Sequence, residues 1–122
     1  MQGKTVLVAD DDEIFLDMLS EILKDEGARV CVARNGEEGV SLALSEHPDI
    51  AVFDMMMPRM TGMEAIQKIR EDTWGNTLPV VLLTNMGGQE VPPFPQGAKA
   101  ECLLKTDWTL EKLAQHLKEM LG

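Results

Sequence analysis

Asp10, Asp11 and Asp12 stand together directly after the apolar run Thr5-Val6-Leu7-Val8-Ala9. A further carboxylate, Asp54, follows Ile50-Ala51-Val52-Phe53. Thr84 follows Pro79-Val80-Val81-Leu82-Leu83, and Lys105 follows Ala100-Glu101-Cys102-Leu103-Leu104. Four apolar runs therefore end in groups that can do chemistry. Carboxylates gathered at one place repel, at about 4 kcal/mol per pair for ~4 Å and an effective dielectric of about 20. A divalent cation relieves this, and Mg²⁺ takes one or two carboxylates together with waters and a phosphate. The competing reading is that Asp11 and Asp12 only cap the helix that follows. Asp54 also has the chemistry of a nucleophile, because a carboxylate can attack a phosphoryl group and form an acyl phosphate. Charge on the phosphoryl oxygens then calls for a metal, an ammonium and a hydroxyl donor. Lys105 and Thr84 are of the right types. Each alone reads as an ordinary residue, a solvated lysine and a strand-end hydroxyl; the joint pattern is what points to a site.

These residues act together only if the fold gathers them. The apolar runs at 5–9, 50–53, 79–83 and 100–104, with Arg29-Val30-Cys31-Val32-Ala33, read as five strands. Between them the apolar spacing is helical. Residues 13–25 repeat Ile14, Phe15, Met18, Leu19, Ile22 and Leu23 at helical spacing, with Gly27 as C-cap. Asn35 reads as an N-cap, with Glu38 three residues on. Its helix carries Val40, Leu42, Ala43 and Leu44 and stops before Pro48. Gly62 to Glu71 buries Met63, Ile66 and Ile69, and a last helix from about Trp108 aligns Leu110, Leu113, Leu117 and Met120. Alternating strands and helices imply parallel strands joined by right-handed crossovers. Continuously apolar strands imply a sheet covered on both faces. The expected class is a doubly wound α/β fold, whose ligands bind outside the carboxyl ends of the strands. Those ends are where the four groups lie.

The 122 residues make one domain, 1–122, with 44% apolar and 26% charged residues. No apolar run nears the roughly 20 residues that cross a bilayer, and the start lacks the apolar core of a signal peptide. A cytoplasmic location is expected. The net charge of -10 gives the wrong field for nucleic acid or anionic lipid. No direct nucleic-acid or membrane partner is expected, and no output domain beyond residues 1–122. Cys31 and Cys102 match neither a zinc site nor a redox pair.

The chain resembles the receiver domain of bacterial two-component response regulators over nearly its whole length. The resemblance is carried by Val6-Leu7-Val8-Ala9-Asp10-Asp11, Asp54-Met55-Met56-Met57-Pro58-Arg59-Met60-Thr61-Gly62, Val81-Leu82-Leu83-Thr84, Gly97-Ala98 and Lys105. It implies that Asp54 accepts phosphate from a sensor histidine kinase, or exchanges it with a histidine phosphotransfer protein, and that a separate effector protein reads the result. It implies a Mg²⁺ ion on Asp10, Asp11, Asp54 and the backbone carbonyl of Met56. Thr84 would bind a phosphoryl oxygen and Lys105 would pair with the phosphate. The fold implied is flavodoxin-like, a five-stranded parallel sheet in the order 2-1-3-4-5. Such a protein is a phosphoacceptor that assists its own phosphorylation rather than an enzyme with a separate substrate. In that order strands two and five are opposite edges, so Cys31 and Cys102 are expected as free thiols.

The chain departs from the family pattern in three places. Lys105 is followed by Thr106 where the family usually has proline, often after a cis bond. A cis bond there would cost about 3 kcal/mol without proline, so a different backbone path to Lys105 is expected. The family's aromatic switch residue, three positions before the lysine, is Cys102, and the chain has no tyrosine. The family's fourth helix falls on Met86 to Gly97, which holds Gly87-Gly88 and Pro92, Pro93 and Pro95. Interior prolines cost roughly 3 kcal/mol each in a helix, so a mobile Pro-rich loop is expected there, with Val91 and Phe94 covering the core. Asn85 and Met56 are expected to line the water route to the acyl phosphate and to slow its hydrolysis.

Three other readings compete. An aspartyl phosphatase needs a second acid two residues after its nucleophile, and that position is Met56. A flavin-binding fold of this topology would set three carboxylates against the cofactor phosphate. A phosphorylation-independent adaptor of the same fold is favoured by Cys102 and the Pro-rich segment, and opposed by Asp11, Asp54, Thr84 and Lys105. The remaining expectations are modest. Met55, Met56 and Met57 read as soft packing, His47 as a helix-end residue, His116 as solvated, and Trp108 as packing the start of the last helix.

Overall fold

A computed structural model describes residues 1–85 and 100–122. Five strands, β1 (Thr5–Ala9), β2 (Arg29–Ala33), β3 (Ile50–Asp54), β4 (Val80–Thr84) and β5 (Ala100–Leu104), form one sheet in the order β2-β1-β3-β4-β5. Every pairing is parallel. Among the described residues the α-helices are α1 (Glu13–Asp25), α2 (Gly36–Glu46), α3 (Gly62–Glu71) and α4 (Leu110–Leu121). The expectation of a Pro-rich loop in place of a helix concerns residues 86–97, which lie outside the described residues.

The three inner strands β1, β3 and β4 are buried on both faces, which accounts for their unbroken apolar runs, while the edge strands β2 and β5 are only half-buried. Leu7, Ala9, Ala51, Phe53, Val80 and Leu82 pack on one side with Ala65, Ile66 and Ile69 of α3 and Ala43 of α2. Their strand neighbours Val6, Val8, Ile50, Val52, Val81 and Leu83 pack on the other with Leu16, Leu19 and Leu23 of α1 and Leu113, Ala114 and Leu117 of α4. Successive residues of a strand thus serve opposite cores, as period-two side chains must.

Each helix starts on a side-chain cap. Asp12 accepts from the N–H groups of Ile14 and Phe15 at 3.0 and 3.2 Å. Asn35 accepts from Glu38 N–H at 2.8 Å, and Thr109 from Lys112 N–H at 3.1 Å. Thr61 and Glu64 form a reciprocal capping box. The last helix begins at Leu110 rather than Trp108, because Lys105–Asp107 make a 3₁₀ turn and Thr109 supplies the cap. Trp108 packs beside that start, against the α1–α4 core.

Three expectations are refined and two hold. On α1, Ile14 and Met18 are 72% and 49% exposed, and Leu16 is buried instead. The stripe Leu16, Leu19, Ser20 and Leu23 has the same helical spacing and is the one that meets the sheet. On α2, Leu44 is exposed while Ala43 is buried against the sheet. His116 is not merely solvated. Its Nε2 lies 2.5 Å from a Glu101 carboxylate oxygen, and its ring tilts against Trp108 with centroids 4.9 Å apart. His47 does end α2, in a left-handed conformation (φ 47), and stacks on Trp74 at 4.2 Å. Cys31 and Cys102 are free thiols on the two edge strands.

The candidate metal and phosphoacceptor site

Parallel pairing aligns the strands' carboxyl ends. Asp10 continues β1 by one bond, its N–H donating to Ala33 C=O at 3.0 Å. Asp54 closes β3 opposite Leu83, and Thr84 closes β4 opposite Leu104. Lys105 is the next residue after β5. Asp10, Asp54 and Thr84 are all buried, and Asp11 is exposed at the rim. One carboxylate oxygen from each of Asp10, Asp11 and Asp54 lies within 4.8 Å of the others. The triplet therefore divides: Asp12 caps α1, while Asp10 and Asp11 face Asp54.

Lys105 joins the cluster from the far side of the sheet. Its Nζ donates to Asp10 Oδ2 at 2.6 Å and lies 4.0 Å from Asp54 Oδ1. The other oxygen of Asp10, Oδ1, accepts from Asp12 N–H at 2.9 Å. Every peptide bond among the described residues is trans, so Lys105 reaches the carboxylates without a cis turn. One contact was not foreseen: the ammonium sits over the Phe15 ring, 4.2 Å from its centroid. The sequence shows Phe15 only as one of the apolar residues repeating along α1, and no local pattern ties it to Lys105.

Two carboxylates and a rim acid with a single ammonium leave excess negative charge. The Asp54 carboxyl is accordingly pushed up from 3.8 to about 6, first by burial, then by the charge of Asp10 and more weakly Asp11, against the pull of Lys105. An all-oxygen, anionic donor set of this kind suits a hard divalent cation. The loop after Asp54 is pinned at both ends. Met55 N–H donates to Leu83 C=O at 2.8 Å, and Gly62 N–H donates to Met55 C=O at 2.9 Å. Gly62 is required there, since a Cβ would lie 2.3 Å from the Asp54 carbonyl oxygen. Met57 is buried and Met55 packs on the α2–α3 core, as soft filler should. Met56 differs, being 64% exposed two residues after Asp54. The capping box at Thr61 was readable from its Thr-x-x-Glu pattern.

The family model for the response regulator receiver domain matches residues 6–118. The chain belongs to that family. A CheY-like receiver domain protein from Methanospirillum hungatei superposes with a TM-score of 0.81 at 29% identity, covering 97% of this chain and 93% of that one. The chemotaxis response regulator CheY4 of Vibrio cholerae gives 0.83 at 28% identity, covering 95% and 97%. The probable transcriptional regulatory protein TcrX of Mycobacterium tuberculosis is 31% identical over 120 residues, 98% of this chain and 50% of that protein. A 14.6 kDa protein from Leptolyngbya boryana is 45% identical over 85 residues, 70% of this chain and 65% of that protein. The receiver thus spans between half and two thirds of the length of these two relatives. Its sheet order is that expected from the resemblance, and no helix among the described residues is long and apolar enough to cross a membrane.

Proposed function

We propose that this receiver accepts a phosphoryl group on Asp54 from a sensor histidine kinase or a histidine phosphotransfer protein, and passes the signal to a separate effector in the cytoplasm. The observation that carries this reading is the buried Asp54 carboxylate held between Asp10, Asp11 and the Lys105 ammonium. An Asp54 oxygen attacks phosphorus in line, the P–N bond of the phosphohistidine breaks, the donor nitrogen keeps the electron pair, and an acyl phosphate forms. Lys105 pairs with one phosphoryl oxygen and the Thr84 hydroxyl donates to another. Mg²⁺ is the expected cofactor, held by Asp10, Asp11, Asp54 and the backbone carbonyl of Met56, and supplies charge neutralisation when bound. Asp10 and Asp11 keep that charge at the sheet edge, and burial keeps bulk water from the acyl phosphate.

The test is intact mass after incubation with acetyl phosphate, with and without Mg²⁺, beside Asp54→Asn. The expected result is a Mg²⁺-dependent gain of one phosphoryl group in the native protein and none in the variant. No gain under any condition would overturn the reading and favour a phosphorylation-independent adaptor, for which Cys102 in place of the aromatic switch residue already speaks.

A further inference from the structure

We propose that Phe15 is a positioning residue for Lys105, its ring face holding the ammonium at the mouth of the carboxylate cluster, within reach of a phosphoryl oxygen. The inference rests on the reading of Asp54 as phosphoacceptor and adds a residue to that site. Lys105 starts from β5, which β4 and β3 separate from β1, yet its Nζ meets Asp10 of the β1 end. A lysine stem has large rotamer freedom to lose in reaching that far. Asp10 holds the ammonium by a hydrogen bond at 2.6 Å to Oδ2, while its Oδ1 is already given to Asp12 N–H, and Asp54 lies only at 4.0 Å. Once Asp10 also serves a divalent cation, its hold on Lys105 weakens. The aromatic face then remains as the contact that attracts an ammonium without competing for the metal.

The ring is well placed to do this. Phe15 lies in the first turn of α1, where its N–H donates to the Asp12 cap at 3.2 Å. It packs on the α1–α4 core, to which Trp108 and Leu110, from the segment after Lys105, also contribute. The acidic triplet therefore anchors the start of the helix that carries the ring, and α1 and the chain after Lys105 pack on one core. Ring, ammonium and carboxylates form one layered unit: Nζ is 4.2 Å from the ring centroid, 2.6 Å from Asp10 Oδ2 and 4.0 Å from Asp54 Oδ1.

The first arm of the test needs neither metal nor phosphodonor. In protein carrying ¹³C-lysine, the ε-CH₂ protons of Lys105 should be shifted upfield by the ring current, and the shift should vanish in Phe15→Leu and persist in Phe15→Tyr. The second arm is the rate of phosphorylation by acetyl phosphate at saturating Mg²⁺. Phe15→Leu, or Phe15→Met should the leucine variant fold poorly, should slow it about threefold to tenfold, with Phe15→Tyr within about twofold of the native protein. The third arm repeats Phe15→Leu in a Lys105→Ala background, where it should cost nothing further. Equal slowing in that background, or a tyrosine variant as slow as the leucine one, would show that the ring acts only by packing and would overturn the proposal. An unshifted Lys105 resonance in a protein that accepts phosphate overturns the role of Phe15 alone. A native protein that accepts no phosphate overturns the reading of Asp54, and this role with it.

Discussion

Replacing Asp54 with asparagine should stabilise the metal-free protein at neutral pH. The carboxyl is pushed up to about 6 in the fold from its ordinary 3.8, by burial first and then by the charge of Asp10. A raised folded value means that the native state prefers Asp54 protonated. Ionisation therefore opposes folding above about pH 6, and the penalty fades as the pH falls towards 3.8. The full difference corresponds to about 3 kcal/mol, and water at the open end of the sheet screens it to about 1–2 kcal/mol. At roughly 2.1 cal/mol/K of unfolding entropy per residue, that is about 4–8 °C in Tm for a chain of this length. The assay is thermal unfolding of both proteins in EDTA, at dilute concentration, from pH 7.5 down to pH 4. Asp54→Asn should melt higher at pH 7.5 and converge on the native protein at pH 4. Added Mg²⁺ should raise the native Tm more than the variant's, since the variant lacks one anionic ligand. A variant no more stable than the native protein in EDTA at pH 7.5, or a gap that ignores pH, would refute the argument that burial and the neighbouring acids strain Asp54.

The other predictions separate residues that the sequence leaves side by side. Asp12→Ala should lose a helix cap and about 1 kcal/mol of stability with Mg²⁺ affinity nearly unchanged, whereas Asp11→Ala should weaken Mg²⁺ binding without destabilising the apo fold; calorimetry and urea melts on the pair check this, and the opposite pattern would reverse their assignment. Gly62→Ala drives a Cβ to 2.3 Å from the Asp54 carbonyl oxygen, so it should cost about 2–3 kcal/mol and impair phosphorylation together; a stable, fully active variant would contradict the close packing of α3 under the acceptor. Asn85 is exposed directly after Thr84, and Asn85→Ala should shorten the lifetime of the acyl phosphate; an unchanged decay rate would remove Asn85 from the water route.

The sheet and its site were legible because one physical rule governs both. Strands buried on two faces must be apolar throughout, so polarity returns only at their ends, and in a parallel sheet those ends share one edge. Val6 to Ala9 followed by Asp10, and Ile50 to Phe53 followed by Asp54, announce the strand and the site in the same few residues. Spacing alone was weaker on α1, where Ile14, Met18 and Ile22 repeat as regularly as Leu16, Leu19 and Leu23. Only contact with the sheet decides which stripe is buried. Contacts between distant elements left no local mark at all. Glu101 with His116, and Phe15 with Lys105, depend on how β5 sits beside α4 and α1 beside the end of β5. The buried Arg70 is similar: its Nη1 donates to Gly75 C=O at 2.8 Å and Leu78 C=O at 2.6 Å, and so ties down the turn into β4. Nothing in its own sequence neighbourhood distinguishes it from a surface arginine at a helix end.

The charge balance of the site constrains how a phosphorylation signal would leave it. The cluster already carries more anions than cations, and an acyl phosphate on Asp54 replaces a single negative charge with nearly two. The response must therefore begin with groups that can move towards that added charge. Two such groups line the sheet edge: the Lys105 ammonium, which would exchange Asp10 for a phosphoryl oxygen, and the Thr84 hydroxyl at the end of β4. In this chain neither can hand its movement to an aromatic ring on β5, because Cys102 occupies that place, half-buried and paired in register with Leu82. A shift of Lys105 would instead alter its seat on Phe15 in the first turn of α1, the helix on which Ile14 and Met18 stand exposed. A shift of Thr84 would act on Asn85. The readout in this receiver would accordingly travel along the chain from the ends of β4 and β5 and across to α1, rather than through a rotating ring on the sheet edge.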